Sequence, residues 1–357
     1  MASLLPLFVE RAAMNKRDLG AFSLPECEAL AIEYGEPKFR GKQLFQWIQE
    51  KRVKQFQDMK NLPARFREQL EENFTIAQVE VKKKQVSATD GTVKYLYELS
   101  DGETVEAVLM RYHHGNSLCI STQVGCRMGC NFCASTLMGL ARNLTASEML
   151  AEIDGAEKDS GEEVSHIVLM GIGEPLDNYD EVVQFLKILS DPSGRRKSLR
   201  NVTLSTCGLV PEMKKLAAEK LQLTLAVSLH APNDAIRQET MPIAKRYSME
   251  ELLTACKEYA KITGRRVTFE YALIHGQNDS LQDADQLAEK LRGMLCHVNL
   301  IPINPVSERA YKAVSRKQAE AFKNRLEQKG IPATVRRTLG EDISAACGQL
   351  RRENAKA

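Results

Sequence analysis

No stretch of this 357-residue chain is apolar for long enough to cross a membrane. The apolar start, Met1-Ala-Ser-Leu-Leu-Pro-Leu-Phe8, is short and soon followed by charge, which excludes a secretory signal. The nine cysteines have no disulfide-framework spacing, and their number is odd. Both facts argue against an oxidising compartment, so a cytoplasmic protein is expected. The net charge is only +2, which excludes a global basic field of the kind that announces nucleic acid. There is no internal repeat and no low-complexity run. Composition is that of an ordinary globular protein, at 43% hydrophobic and 27% charged residues.

What stands out is local. Cys126, Cys130 and Cys133 place three soft ligands within one short loop, flanked by Gly125 and Gly129. A structural zinc site takes four protein ligands. An iron–sulfur cubane takes four thiolates, one per iron. Three thiolates leave one iron corner open to something that is not protein. As a zinc site the trio needs a fourth ligand, for which Cys119, His113 and His114 are the neighbours in sequence.

The hydrophobic pattern predicts an accessory domain over residues 1–100. Ser23-Leu-Pro-Glu26 reads as a capping box opening a helix to about Tyr34. Helices near 39–48 and 64–73 follow, then strands near 76–84, 93–99 and 103–110. Between Glu36 and Lys60 there are seven Lys or Arg against three acids. Lys38, Arg40, Lys42, Lys51 and Arg52 are the RNA-contact candidates if the chemistry calls for RNA.

From Ser117 strands and helices alternate. Strands are predicted at 117–122, 164–170, 201–206, 222–229, 266–273 and 296–303, with helices between them and another near 315–329. The fold class is therefore α/β, a six-unit βα series forming a partial barrel or a doubly wound sheet over residues 101–340. Residues 341–357 form a tail. In Asn201–Ser205, Leu223–His230 and Val267–Tyr271 one face is apolar and the other small or polar. Helices on the apolar face leave a polar lumen, which makes a ligand cavity.

Candidate residues cluster at strand ends. Met170-Gly-Ile-Gly173-Glu174-Pro175 follows the second strand, where sites sit in such folds. Ser205, Ser228, Leu229, His230 and Asn304 reach the same rim by position. Period-two alternation points Leu118 and Ile120 one way, and Cys119 and Ser121 into the lumen. Cys347 sits between small residues in the tail, and two thiols near one cavity can form a transient redox pair. Cys27, Cys207, Cys256 and Cys296 read as core thiols.

These stretches closely resemble the RlmN/Cfr family of radical S-adenosylmethionine (SAM) RNA methyltransferases. The match runs through Cys119–Cys133 and Ala-Ser-Thr136, Arg142–Thr145, Met170–Pro175, Ser228–Pro232, Met241–Ile243 and Asp342–Leu350. Phe39-Arg…Gln43…Trp47 is similar to the family's N-terminal domain. Gln123-Val-Gly, Gly264–Val267 with Glu270-Tyr271, and Ala346-Cys347-Gly-Gln look like the RlmN branch.

The resemblance implies a radical SAM partial (β/α)6 barrel, a [4Fe-4S] cluster on Cys126, Cys130 and Cys133, and SAM at the open iron. It implies SAM contacts from Gly173, Glu174, Ser205, Ser228, Leu229, His230 and Asn304. It implies that Cys347 carries an S-methyl intermediate, that Glu106 accepts a proton, and that Cys119 resolves the RNA–protein adduct through a disulfide with Cys347. The implied substrates are adenosine 2503 of 23S rRNA and adenosine 37 of tRNAs, methylated at C2 with two SAM per turnover. A flavodoxin or ferredoxin electron donor and a monomeric state are also implied. The chemical need agrees: adenine C2 is an electron-poor sp2 carbon that cannot attack a sulfonium. Two alternatives stay open, namely C8 methylation of the same rRNA adenosine, and a non-catalytic zinc-containing RNA-binding module.

Overall fold

Ten strands lie in one sheet in the order in which they occur in the sequence. The computed structural model describes residues 16–303, 311–337, 339–343 and 350–351. Asn304 and Cys347 lie outside the described residues. The strands are β1 (Glu80–Val86), β2 (Val93–Glu98), β3 (Thr104–Tyr112), β4 (Gly115–Cys119), β5 (Val164–Leu169), β6 (Val202–Thr206), β7 (Thr224–Ser228), β8 (Val267–Leu273), β9 (Cys296–Pro302) and β10 (Ala333–Val335). From β1 to β4 neighbours are antiparallel; from β4 to β10 they are parallel.

Strictly sequential parallel order decides between the two architectures open to the sequence. A doubly wound sheet reverses its strand order at a switch point. Here it never reverses, and right-handed crossovers then stack every helix on one face. The sheet curls with its helices outside, and β1 and β10 remain unpaired edges, so the barrel is partial.

The helices are α1 (Leu24–Glu33), α2 (Lys38–Gln49), α3 (Ala64–Asn73), α4 (Ala146–Ser160), α5 (Tyr179–Ser190), α6 (Val210–Ala218), α7 (Asp234–Thr240), α8 (Met249–Thr263), α9 (Leu281–Leu291) and α10 (Arg316–Gln328). Local chemistry fixes their starts. Thr145 with Glu148, Ser248 with Glu251, and Ser280 with Asp283 form capping boxes on α4, α8 and α9. No described helix is long and apolar enough to cross a membrane.

The outward faces of the strands make the core. Leu204, Leu225, Val227, Val267 and Phe269 are buried against the helices. Each such side chain contributes about 1.5–3 kcal/mol on burial. A second core, with Leu30, Leu44, Phe66, Leu70 and Phe74, holds α1 to α3 together.

Ion pairs dock this helical unit on α4. Asp154 binds Lys54 at 2.9 Å and Arg195 at 2.6 Å. Arg52 pairs with Glu157 and lies 3.6 Å from Asp154. Arg52, among the RNA-contact candidates, is thus tied to α4 while its side chain stays 32% exposed. The long reach of an arginine let α4 claim it. Lys38 pairs with Glu28, Arg40 donates to Asn61 O, and Lys51 lies over the Trp47 ring at 3.6 Å. Lys42 is exposed on α2.

Candidate active site

A cavity of about 370 Å³ opens inside the barrel. Cys126, Cys130 and Cys133 line it together with Glu174, Ser228 and His230. Its size and its mix of apolar walls with a few polar groups are those of a small-molecule site.

The cysteine loop is built by its glycines. Gln123–Gly125 pairs antiparallel with Leu140–Asn143, closing the loop at its base. Cys126 N donates to Gly139 O at 2.9 Å. A Cβ on Gly125 would lie 1.9 Å from that same Gly139 oxygen, and its φ is +85°. Asn131 ties the loop to the end of α7, donating from N to Thr240 O at 2.8 Å and from Nδ2 to Glu239 O at 2.6 Å. Burial pushes the Cys126 thiol up to about 12 and raises that of Cys130 also. Bound metal reverses that, because it deprotonates a coordinating thiol.

The donor set fits a cluster. Among the described residues, no three His, Cys, Asp or Glu side chains converge as a single metal ion would require. A cubane offers a separate iron to each thiolate, so three sulfurs spread round one cavity suit it.

Glu174 joins two strand ends. Its Oε2 accepts from Cys207 N at 2.7 Å, its Oε1 from Leu176 N at 3.1 Å, and its own N donates to Gln123 Oε1 at 2.8 Å. Burial raises its carboxyl above the ordinary range, and the Cys207 amide and Thr206 hydroxyl oppose that rise. Gly173 has φ +110°, and a Cβ there would meet Gln123 Cβ at 2.6 Å. Cys207 is buried in the core as expected, and it lines the cavity as well. Cys27, Cys256 and Cys296 are buried away from the cavity lining.

Ser205, Ser228 and His230 line the cavity on successive strands. Leu229 alternates outward into the core, and its N donates to Glu270 O at 3.0 Å. His230 adopts φ +54°. Its Nδ1 accepts from Ala272 N at 2.9 Å, which leaves the ring proton on Nε2. Burial, with Arg237 nearby, lowers its pKa to about 3.

Cys119 faces the cavity from β4, packed with Val108, Met110, Met170 and Leu339. Glu106 is 2% exposed, buried within the sheet. It shares a face of β3 with Val108 and Met110. Lys94 Nζ lies 3.1 Å from its Oε2, and Arg351 N donates to its Oε1 at 2.6 Å.

Sequence reasoning missed Lys94 and Arg237, whereas Glu270 lies on the cavity side of its strand as its polar face implied. Lys94 lies in Val93-Lys-Tyr-Leu-Tyr-Glu98, where a lone charge amid large apolar residues was the available signal. Buried Arg237 donates from Nη2 to Cys207 O at 2.8 Å, and α7, which carries it, was unforeseen. Glu270 lines the cavity and accepts from Asn299 Nδ2 at 2.8 Å.

Comparison with known proteins places this architecture. Residues 120–290 match the radical SAM superfamily, and residues 17–76 match the ribosomal RNA large subunit methyltransferase N-terminal domain. A probable dual-specificity RNA methyltransferase RlmN from Alkaliphilus oremlandii is 54% identical over 96% of this chain and 99% of its own. The chain belongs to the RlmN family. A second RlmN relative, from Clostridium novyi, is 52% identical over 93% of this chain and 96% of its own. The crystal structure of a radical SAM methyltransferase from Sphaerobacter thermophilus superposes with a TM-score of 0.87 at 43% identity, covering 93% of this chain and 98% of that one. As a member of the RlmN family, the chain uses a [4Fe-4S] cluster and SAM.

Proposed function

We propose that this RlmN-family chain methylates C2 of adenosine 2503 in 23S rRNA and C2 of adenosine 37 in tRNAs, by way of S-methylcysteine at Cys347. In this reading Cys126, Cys130 and Cys133 hold the cluster. Gly173, Glu174, Ser205, Ser228, Leu229, His230 and Asn304 seat SAM, Leu229 through its backbone. When bound, the cluster and SAM supply a methyl group and, after one-electron reduction by a flavodoxin or ferredoxin, a 5′-deoxyadenosyl radical.

The chain's own residues do the rest. Cys347 Sγ takes the methyl by displacement. After loss of a hydrogen atom, that carbon bonds to adenine C2 and links RNA to protein. The adduct's odd electron returns to the redox centre that supplied it, and Glu106 accepts the C2 proton. Cys119 Sγ, as thiolate, attacks Cys347 Sγ, so the C–S bond breaks as the S–S bond forms; the freed carbon takes up a proton, and 2-methyladenosine leaves.

One observation carries the reading: both described flanks of Cys347 are anchored on the antiparallel part of the sheet, the upstream one at the β1–β2 turn and the downstream one on Glu106 of β3. Upstream, Asp342 accepts from Ser87 Oγ at 2.7 Å and from Ala88 N at 2.9 Å, in the turn between β1 and β2. Downstream, Arg351 N binds Glu106 itself. Among the described cysteines no disulfide is formed. The exposed residues Lys38, Phe39, Lys42 and Lys51 on and beside α2 support an RNA-facing accessory unit.

Mass spectrometry of nucleotides from rRNA and tRNA after anaerobic reaction tests the proposal. It expects 2-methyladenosine; a methyl on C8 would overturn the regiochemistry. Peptide mapping should find a methyl on Cys347, and its location on another cysteine would reassign the acceptor.

A further inference from the structure

Lys94 is wholly enclosed, at 0% exposure, and its ammonium lies 3.1 Å from the Glu106 carboxylate. The sheet register makes the pair. Leu96 sits opposite Glu106 and Lys94 opposite Val108, so the two charged side chains are diagonal neighbours on one face. Taking an ammonium out of water is unfavourable, and an apolar pair would fill the same space with as much stability or more. The pair therefore invites a chemical explanation.

We propose that Lys94 is a positioning residue for the proton-transfer step, aiming the Glu106 carboxylate while the Arg351 N–H occupies its other oxygen. The inference rests on the reading of Glu106 as the base. An ammonium against Oε2 makes a charge-assisted bond that fixes the orientation of the carboxylate. Oε1 takes the Arg351 N–H, so the carboxylate is fixed from two sides.

Other described groups near the pair are engaged elsewhere or do not titrate. The Arg351 guanidinium is turned to Glu103 Oε2 at 3.1 Å. Ser121 Oγ donates to the Glu106 backbone oxygen at 2.7 Å and does not titrate. Glu152 of α4 accepts from Ser121 N, and burial raises its pKa well above the ordinary range. Cys119 stands on the adjoining strand, paired with Val108.

Anaerobic single turnover on an RNA hairpin tests this, in variants Glu106→Gln, Lys94→Met and Lys94→Arg, with the covalent RNA–protein adduct as readout. Glu106→Gln should stop at the adduct. Lys94→Met should accumulate it and release it at least about tenfold more slowly than wild type. Lys94→Arg should restore most of the wild-type rate. Methyl loading of Cys347 and the yield of 5′-deoxyadenosine should match wild type in the Lys94 variants. If Lys94→Met misfolds, judged by melting temperature and iron content, the same rate is read on Lys94→Gln. A wild-type release rate in Lys94→Met, or a loss of activity without adduct, overturns the role of Lys94. Normal turnover by Glu106→Gln would instead overturn the reading of Glu106 as base.

Discussion

Ala272 N donates to His230 Nδ1 at 2.9 Å, and that bond exists only while the imidazole is neutral. Burial and Arg237 lower the His230 pKa to about 3. An unfolded histidine titrates near 6.5, so between about 3 and 6.5 the unfolded chain binds the extra proton. Stability from this site is complete above about pH 6.5 and is lost as pH falls towards 3, by up to about 1.4 kcal/mol per pH unit. Urea titrations of wild type and His230→Gln between pH 7.5 and 5 should show a shallower pH slope in the variant. Equal slopes would mean that His230 does not titrate on unfolding.

Gly125 closes the cysteine loop against Gly139, and a methyl group there has no room beside the Gly139 oxygen. Its left-handed φ of +85° adds backbone strain for any other residue. Gly125→Ala should therefore lower iron and sulfide per chain while the far-ultraviolet circular dichroism stays that of wild type. Full iron loading in this variant would show that the loop has another way to close.

Six parallel strands, β4 to β9, were legible because one buried face forces period-two alternation, and their observed boundaries fall within three residues of those predicted; the three-residue β10 was too short to show such a pattern. Capping boxes such as Thr145 with Glu148 fixed helix starts for equally local reasons. What was not legible depends on distant partners. Helix α7 runs only seven residues and buries Arg237 rather than an apolar stripe, so it carries little helical periodicity. The burial of Glu106 beside Lys94 arises only through the β2–β3 register. The ion pairs of Arg52 with Asp154 and Glu157 span about a hundred residues of sequence. Charged residues paired across the sheet or between layers leave no local pattern.

Glu174 lines the cavity, held in place by bonds from Leu176 N and Cys207 N. A carboxylate there suits the ammonium of the SAM methionine group. A charge-assisted hydrogen bond contributes about 1.5–3 kcal/mol. Glu174→Gln should weaken SAM binding by about 10–100-fold, since about 1.4 kcal/mol is tenfold. Anaerobic equilibrium dialysis measures this, with iron content as the control. Unchanged affinity in the iron-loaded variant would remove Glu174 from the SAM site.

Asp154 joins the accessory helices to the barrel. Arg195 grips it with two bonds, at 2.6 and 3.0 Å, while Lys54 reaches it at 2.9 Å from the segment after α2. Burial alone would raise the Asp154 carboxyl, but Arg195 and Lys54 more than offset this and hold it at about 2. Its native pKa lies below the unfolded value near 3.9, so its stabilisation is present above about pH 4 and lost as pH falls through about 2. Asp154→Ala leaves Arg195, itself 3% exposed, buried without this partner. Removing one member of such a pair typically costs about 3–5 kcal/mol. Urea denaturation should show that loss, and limited proteolysis should cut first between α2 and α3, where Lys54 loses its anchor. A loss below about 1 kcal/mol, the range of exposed pairs, would mean that the joint is held by the apolar contacts around it.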